Sequence, residues 1–102
     1  MKYRKPTEPM DYGPVKGDVR VCMKKDVGGY TTFTAVVVSV GEHTMVRRCY
    51  REDDRGRRYQ IKDVSTTGLD YSMFLDENKQ RVSRENVGRR LGRLSKADMR
   101  NI

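Results

Sequence analysis

The run Thr31 to Val40, TTFTAVVVSV, constrains the fold of this chain more than any other stretch. Its side chains are largely β-branched, which makes them stiff at χ1 and suits them to a pleated surface. Across Ala35-Val36-Val37-Val38 the apolar residues do not alternate with polar ones. That pattern predicts a central strand covered on both faces, with Val36 and Val38 buried.

Shorter segments with strand character flank this run. Val19 to Met23 fits a first strand with Val19, Val21 and Met23 on one face. Asp26-Val27-Gly28-Gly29 supplies the turn into the central run. Gly41-Glu42 turns into a third strand, His43 to Arg51, where Thr44, Val46, Arg48 and Tyr50 alternate with Met45, Arg47, Cys49 and Arg51. Asp53-Asp54-Arg55-Gly56 is hairpin-like. Arg58 to Val64 predicts a fourth strand, with Tyr59, Ile61 and Asp63 on one side, and Ser72 to Leu75 begins a short fifth. Ser83 is placed to cap a helix over Arg84 to Leu91, and Ser95 with Asp98 to start a last short one. The expected fold is therefore mainly β with some α: an SH3-like, partly open small barrel of about five strands, closed by short C-terminal helices. Met45, Met73, Phe74, Leu75, Leu91, Leu94 and Met99 are candidates for its core or a dimer seam.

The chain has 102 residues, enough for one domain with a modest core. Residues 1–14 carry Pro6, Pro9 and Pro14 and are expected to form a loose arm before a domain over 15–102. The early cations are followed by no apolar stretch, which argues against a signal peptide. No apolar run is long enough to span a membrane. A cytoplasmic location with Cys22 and Cys49 reduced is expected. Charge points to the partner. Lys79 to Ile102 holds eight Lys/Arg against two acids, a net +6 of the chain's +8. Such a surface attracts polyanions by counterion release.

Several segments, in order, resemble the MazF/PemK (Kid-like) toxins of bacterial toxin–antitoxin pairs. Lys16-Gly17-Asp18-Val19 resembles that family's opening, and Ala35-Val36-Val37-Val38-Ser39 its second strand. Thr67-Gly68-Leu69-Asp70-Tyr71-Ser72 resembles the element before its last core strand, and Leu75 to Met99 its tail. The resemblance implies a barrel of the MazF/PemK/CcdB type and a homodimer. It also implies metal-independent cleavage of single-stranded RNA and neutralisation by an acidic antitoxin. No cofactor is expected, and one His with two Cys makes no convincing metal-ligand set. In such a reaction the RNA's own 2′-OH attacks the adjacent phosphate, so the protein must position the chain and stabilise added negative charge.

The sequence departs from the family where the chemistry lies. The family's Arg-Pro falls near Thr34-Ala35, so its arginine is absent. Arg47 and Arg51, on one face of the third strand, are the candidate replacements, and His43 is the candidate acid or base. Lys24, Lys25, Arg57 and Arg58 are candidate phosphate contacts. Tyr50 and Tyr59, expected on neighbouring strands, are candidates for base stacking. Arg84, Arg89, Arg90 and Arg93 are candidate contacts for a partner, RNA or an acidic segment. A non-catalytic module for nucleic acid or an acidic protein is the alternative, since the missing arginine counts against catalysis and leaves binding intact.

Overall fold

The structure is a computed structural model, and residues 13–102 are described. Seven strands form one curled antiparallel sheet, a half-barrel. They are β1 (Asp18–Asp26), β2 (Gly29–Ser39), β3 (Thr44–Tyr50), β4 (Tyr59–Gln60), β5 (Phe74–Leu75), β6 (Gln80–Val82) and β7 (Val87–Arg93). The order is β4-β5-β3-β2-β1-β7, and β6 also pairs with β3. Its partners are Thr44 to Val46, while β5 pairs with Cys49 and Tyr50 of the same strand. One helical turn, α1 (Lys96–Met99), is the only α-helix among the described residues. The expected arm lies outside the described residues except for Gly13 and Pro14.

The central strand forms as its sequence predicts. Ala35, Val36, Val37 and Val38 are all buried. Val36 joins Val19, Ile61, Met73, Leu75 and Leu94 in one cluster, whereas Ala35 and Val37 join Cys22, Phe33, Val46 and Val82 in another. Opposite faces of β2 thus meet separate apolar cores. β1 is covered on both faces as well, which changes the expected pattern. Val19 and Cys22 are fully buried, while Val21 and Met23 are only half-buried.

Three expected elements differ. The helix over Arg84 to Leu91 is a single 3-10 turn, Arg84–Asn86, followed by β7. Close packing overrides helix propensity here. A side chain at Gly88 would come within 2.7 Å of the Val21 carbonyl oxygen, and one at Gly92 within 2.4 Å of the Thr66 carbonyl oxygen. The two glycines let β7 lie against β1 and the Thr66–Thr67 backbone. The fourth strand shrinks to Tyr59–Gln60, because the Asp63 side chain accepts the Ser65 N–H and starts a 3-10 turn at Val64. The Asp53–Gly56 turn does form: Arg55 and Gly56 both have positive φ, and the Arg57 N–H donates to the Asp54 carbonyl. The strands on either side of it are not partners, however, because β5 lies between β3 and β4.

Two buried carboxylates tie elements of this sheet together, Asp18 joining β1 to β7 and Asp98 joining α1 to the segment around β4. Asp18 accepts from Arg20 Nε and Arg93 Nε, each at 3.0 Å, and from the Val15 N–H. Arg20 is itself buried and reaches the carbonyls of Gly88 and Gly13. Asp98 is buried too, with no ion pair among the described residues. It accepts from Tyr59 Oη at 2.8 Å, the Lys62 and Asp63 N–H groups and Ser95 Oγ. The Asp98 N–H donates back to Ser95 Oγ, so the cap expected from Ser95 and Asp98 is present. Burial alone would raise the Asp98 carboxyl, but these hydrogen bonds outweigh it and hold the group below the usual carboxylate range.

The sign follows from that depressed value. Asp98 contributes stability that is complete above the unfolded carboxyl's pKa of about 3.9 and is lost as pH falls through the lower folded value. Asp98→Ala strands four donors and is expected to cost about 3 kcal/mol near pH 7. Urea unfolding from pH 7 down to pH 3 checks both points: the variant should be less stable, and its stability should fall less steeply below pH 4.

Candidate nucleic-acid interface

The pairing register decides which side chains share a face. Ala35 opposes Arg48 and Val37 opposes Val46 across β2 and β3, while Cys22 opposes Phe33 across β1 and β2. Phe33, Arg48 and Tyr50 therefore lie on one side of the sheet. The Arg48 guanidinium sits 4.9 Å from the Phe33 ring centre and 5.5 Å from that of Tyr50. Arg58 covers Tyr50 at 3.6 Å and also donates to the Glu52 carbonyl at 2.8 Å. The Arg58 backbone N–H is held by the Asp53 carboxylate. Aromatic faces attract cations, and partial desolvation strengthens the contact. The result is a row in which two rings hold two guanidiniums in place.

Phe33 also lines a groove of about 290 Å³ with Lys24, Lys25, Arg81, Ser83 and Asn86. A cleft of about 450 Å³ adjoins it and shares Arg81, Val82 and Ser83. His43, Glu42, Thr44 and Arg84 line that cleft as well. Arg84 continues into a third depression beside Arg89. Among the described residues, the ion pairs are those of Arg20 and Arg93 with Asp18, so Lys24, Lys25, Arg81 and Arg84 enter none. Their charge faces outward along a connected surface on which Glu42 is the one lining carboxylate.

The residues singled out from sequence divide three ways. Lys24 and Lys25 are exposed and line the groove, and Arg58 is fixed on Tyr50. Arg84 and Arg89 lie along the same surface. Other candidates are committed to the fold. Arg47 is half-buried, and its Nε–H donates to the Asp76 carbonyl at 2.6 Å. Arg93 pairs with Asp18, and Arg51, although exposed, stacks on Tyr71 at 4.2 Å; Arg90 is a half-buried residue of β7 in backbone register with Arg20 of β1. Arg57 is exposed at the turn. His43 and Arg51 flank opposite ends of β3, roughly 25 Å apart on an extended strand. Arg47, Arg51 and His43 are therefore not gathered at one point.

The tyrosines are corrected most clearly. Tyr50 opposes Phe74 and Tyr59 opposes Leu75, so β5 separates them and they point to opposite faces. Tyr59 packs on the inner core and donates its hydroxyl to Asp98. Burial first, and then that hydrogen bond, raise its phenol above the ordinary value. Tyr50 carries Arg58 at 3.6 Å and Arg48 at 5.5 Å from its ring centre. Arg48, Phe33 and Arg81 emerge only from the structure. The i, i+2 spacing that puts Arg48 and Tyr50 on one face of the third strand is the available signal, and nothing local ties either to Phe33.

Fold and surface together define a small curled β-sheet domain with one strongly basic, aromatic-braced face. The sequence matches no known family model and no curated protein.

The two thiols lie off this surface. Burial raises Cys22 to about 11 and Cys49 to about 12. Both remain protonated at neutral pH, and thiolate is the reactive form. Ellman's reagent at pH 7.5 is expected to label the native protein slowly and both thiols promptly in 6 M guanidinium. Fast labelling of the native chain would contradict the burial of Cys22 and the raised thiol of the half-buried Cys49.

Proposed function

We propose that this chain is a MazF/PemK-like small barrel that binds single-stranded RNA along its basic face. One observation carries this reading: Lys24, Lys25, Arg81 and Arg84 line adjoining depressions that meet the Phe33–Arg48–Tyr50–Arg58 row. A flexible single strand can follow such a path, whereas a duplex presents its phosphates at fixed spacing. Guanidinium planes held on rings offer phosphate contacts and outer faces for bases at little further entropic cost. The ordered resemblance to RNA-acting toxins supports RNA as the polymer.

Binding is favoured over cleavage because the candidate catalytic groups are dispersed. Arg47 is engaged with the Asp76 carbonyl, and His43 and Arg51 sit at opposite ends of β3. In-line attack needs its acid, base and charge-stabilising groups around a single phosphate.

If Lys24, Lys25, Arg48, Arg58, Arg81 and Arg84 each neutralise one phosphate, log K should fall with log salt at a slope of about −4. Fluorescence anisotropy with a labelled RNA 20-mer between 50 and 300 mM KCl measures it. Lys24→Ala with Lys25→Ala should flatten the slope by about 1.4. A slope near zero, or no binding at 50 mM KCl, would sink the proposal. A parallel incubation with long RNA in EDTA should leave it intact, and reproducible mapped cuts would restore the nuclease reading.

A further inference from the structure

The cleft around His43 differs chemically from the groove beside it. The groove is lined by two lysines, one arginine, neutral polar side chains and the ring of Phe33. The cleft gathers two guanidiniums (Arg81 and Arg84), the chain's one imidazole, a carboxylate and the hydroxyl residues Thr44 and Ser83. Its volume of about 450 Å³ falls within the range of small-molecule sites, about 300–1,000 Å³. Ser83 precedes the 3-10 turn Arg84–Asn86, yet its side chain makes no capping hydrogen bond to it.

We propose that this cleft is a subsite for the phosphate monoester of a nucleotide, with Arg81, Arg84 and His43 around the phosphate and Glu42 toward the sugar or base. Charge is the first reason. An internal RNA phosphate carries one negative charge, whereas a phosphate monoester carries about −1.5 to −2 at pH 7. Two guanidiniums in one cleft match the second case, and arginine forms paired hydrogen bonds with phosphate oxygens. Glu42 is the second reason. A carboxylate repels phosphate and accepts hydrogen bonds, so it suits the hydroxyls or amines of a nucleoside beyond the phosphate. Continuity is the third. Arg81, Val82 and Ser83 belong to cleft and groove alike, so a strand whose 5′ end enters the cleft can continue past Lys24 and Lys25.

The same chemistry is offered by a free nucleoside monophosphate and by a 5′-phosphorylated strand end. Only the strand-end source rests on the RNA-binding reading above.

The experiment compares one RNA 12-mer with a 5′-phosphate and with a 5′-hydroxyl. It also follows the His43 imidazole resonances by NMR during titration with adenosine 5′-monophosphate, using adenosine as the control. His43 is the only histidine, so the signal is unambiguous. The phosphorylated strand should bind about tenfold tighter. Arg81→Ala with Arg84→Ala should abolish that ratio, while Lys24→Ala with Lys25→Ala should weaken both strands and preserve it. All four side chains are exposed, and circular dichroism verifies that the variants fold. Equal binding of the two strands, with no response of His43 to the monophosphate, overturns the cleft proposal and leaves RNA binding standing. If neither strand binds but the monophosphate shifts His43 in an Arg81- and Arg84-dependent way, RNA binding fails and the cleft stands, with the free nucleotide as ligand. If neither strand binds and His43 does not respond, both proposals fail.

Discussion

Everything in this molecule is registered on a strand that has no solvent face at its centre. Val36 points into one apolar cluster, and Ala35 and Val37 point into the other. A slip of one residue would exchange the two sets, putting small Ala35 where Val36 packs and breaking contacts on both sides at once. Full burial of one such valine is worth about 1.5–3 kcal/mol, so the register is strongly specified. The same register brings Arg48 beside Phe33, because Arg48 stands opposite Ala35. The basic face inherits its geometry from the core.

Two buried carboxylates are handled in different ways. Asp18 is compensated by cations, with Arg20 as buried as itself and Arg93 half in solvent. Removing Arg20 would leave the buried Asp18 with only the half-exposed Arg93, which is why such a buried pair is costly to break. Asp98 has only uncharged donors, from Tyr59, Ser95 and two backbone N–H groups. It gathers β4, the segment after it and α1 around one point. Charge fastens the start of the sheet, and hydrogen bonds fasten its end.

Cationic side chains here do two kinds of work, and position separates them. Arg20 and Arg93 serve Asp18, and Arg47 serves the Asp76 carbonyl. Lys24, Lys25, Arg81 and Arg84 make no ion pair among the described residues and line connected depressions. Arg48 and Arg58 stand between, braced by rings yet only half-buried. Net charge therefore overstates the surface open to a polyanion, and Lys24, Lys25, Arg81 and Arg84 are the exposed cations that line its connected depressions.

The local sequence determined the strands whose own side chains demand them. Ala35 to Val38 could hardly be anything but the buried centre of a strand, Asp26 to Gly29 anything but a tight turn, and Ser95 with Asp98 caps α1 as expected. These outcomes rest on β-branching, on glycine and on a side chain bonding within three residues, all readable over a short window. The segment Arg84 to Leu91 carried helix signals and became mostly strand, because β1 and the Thr66–Thr67 backbone approach Gly88 and Gly92 more closely than any side chain permits. The candidate site divided in the same manner. Lys24 and Lys25 were legible as loop cations. The tertiary fold alone tied Arg47 to Asp76, sent Tyr59 to Asp98, set β5 between the two tyrosines and placed Arg48 on Phe33. Each of those pairings joins residues at least fifteen positions apart, where local propensity carries no information and packing across the sheet decides.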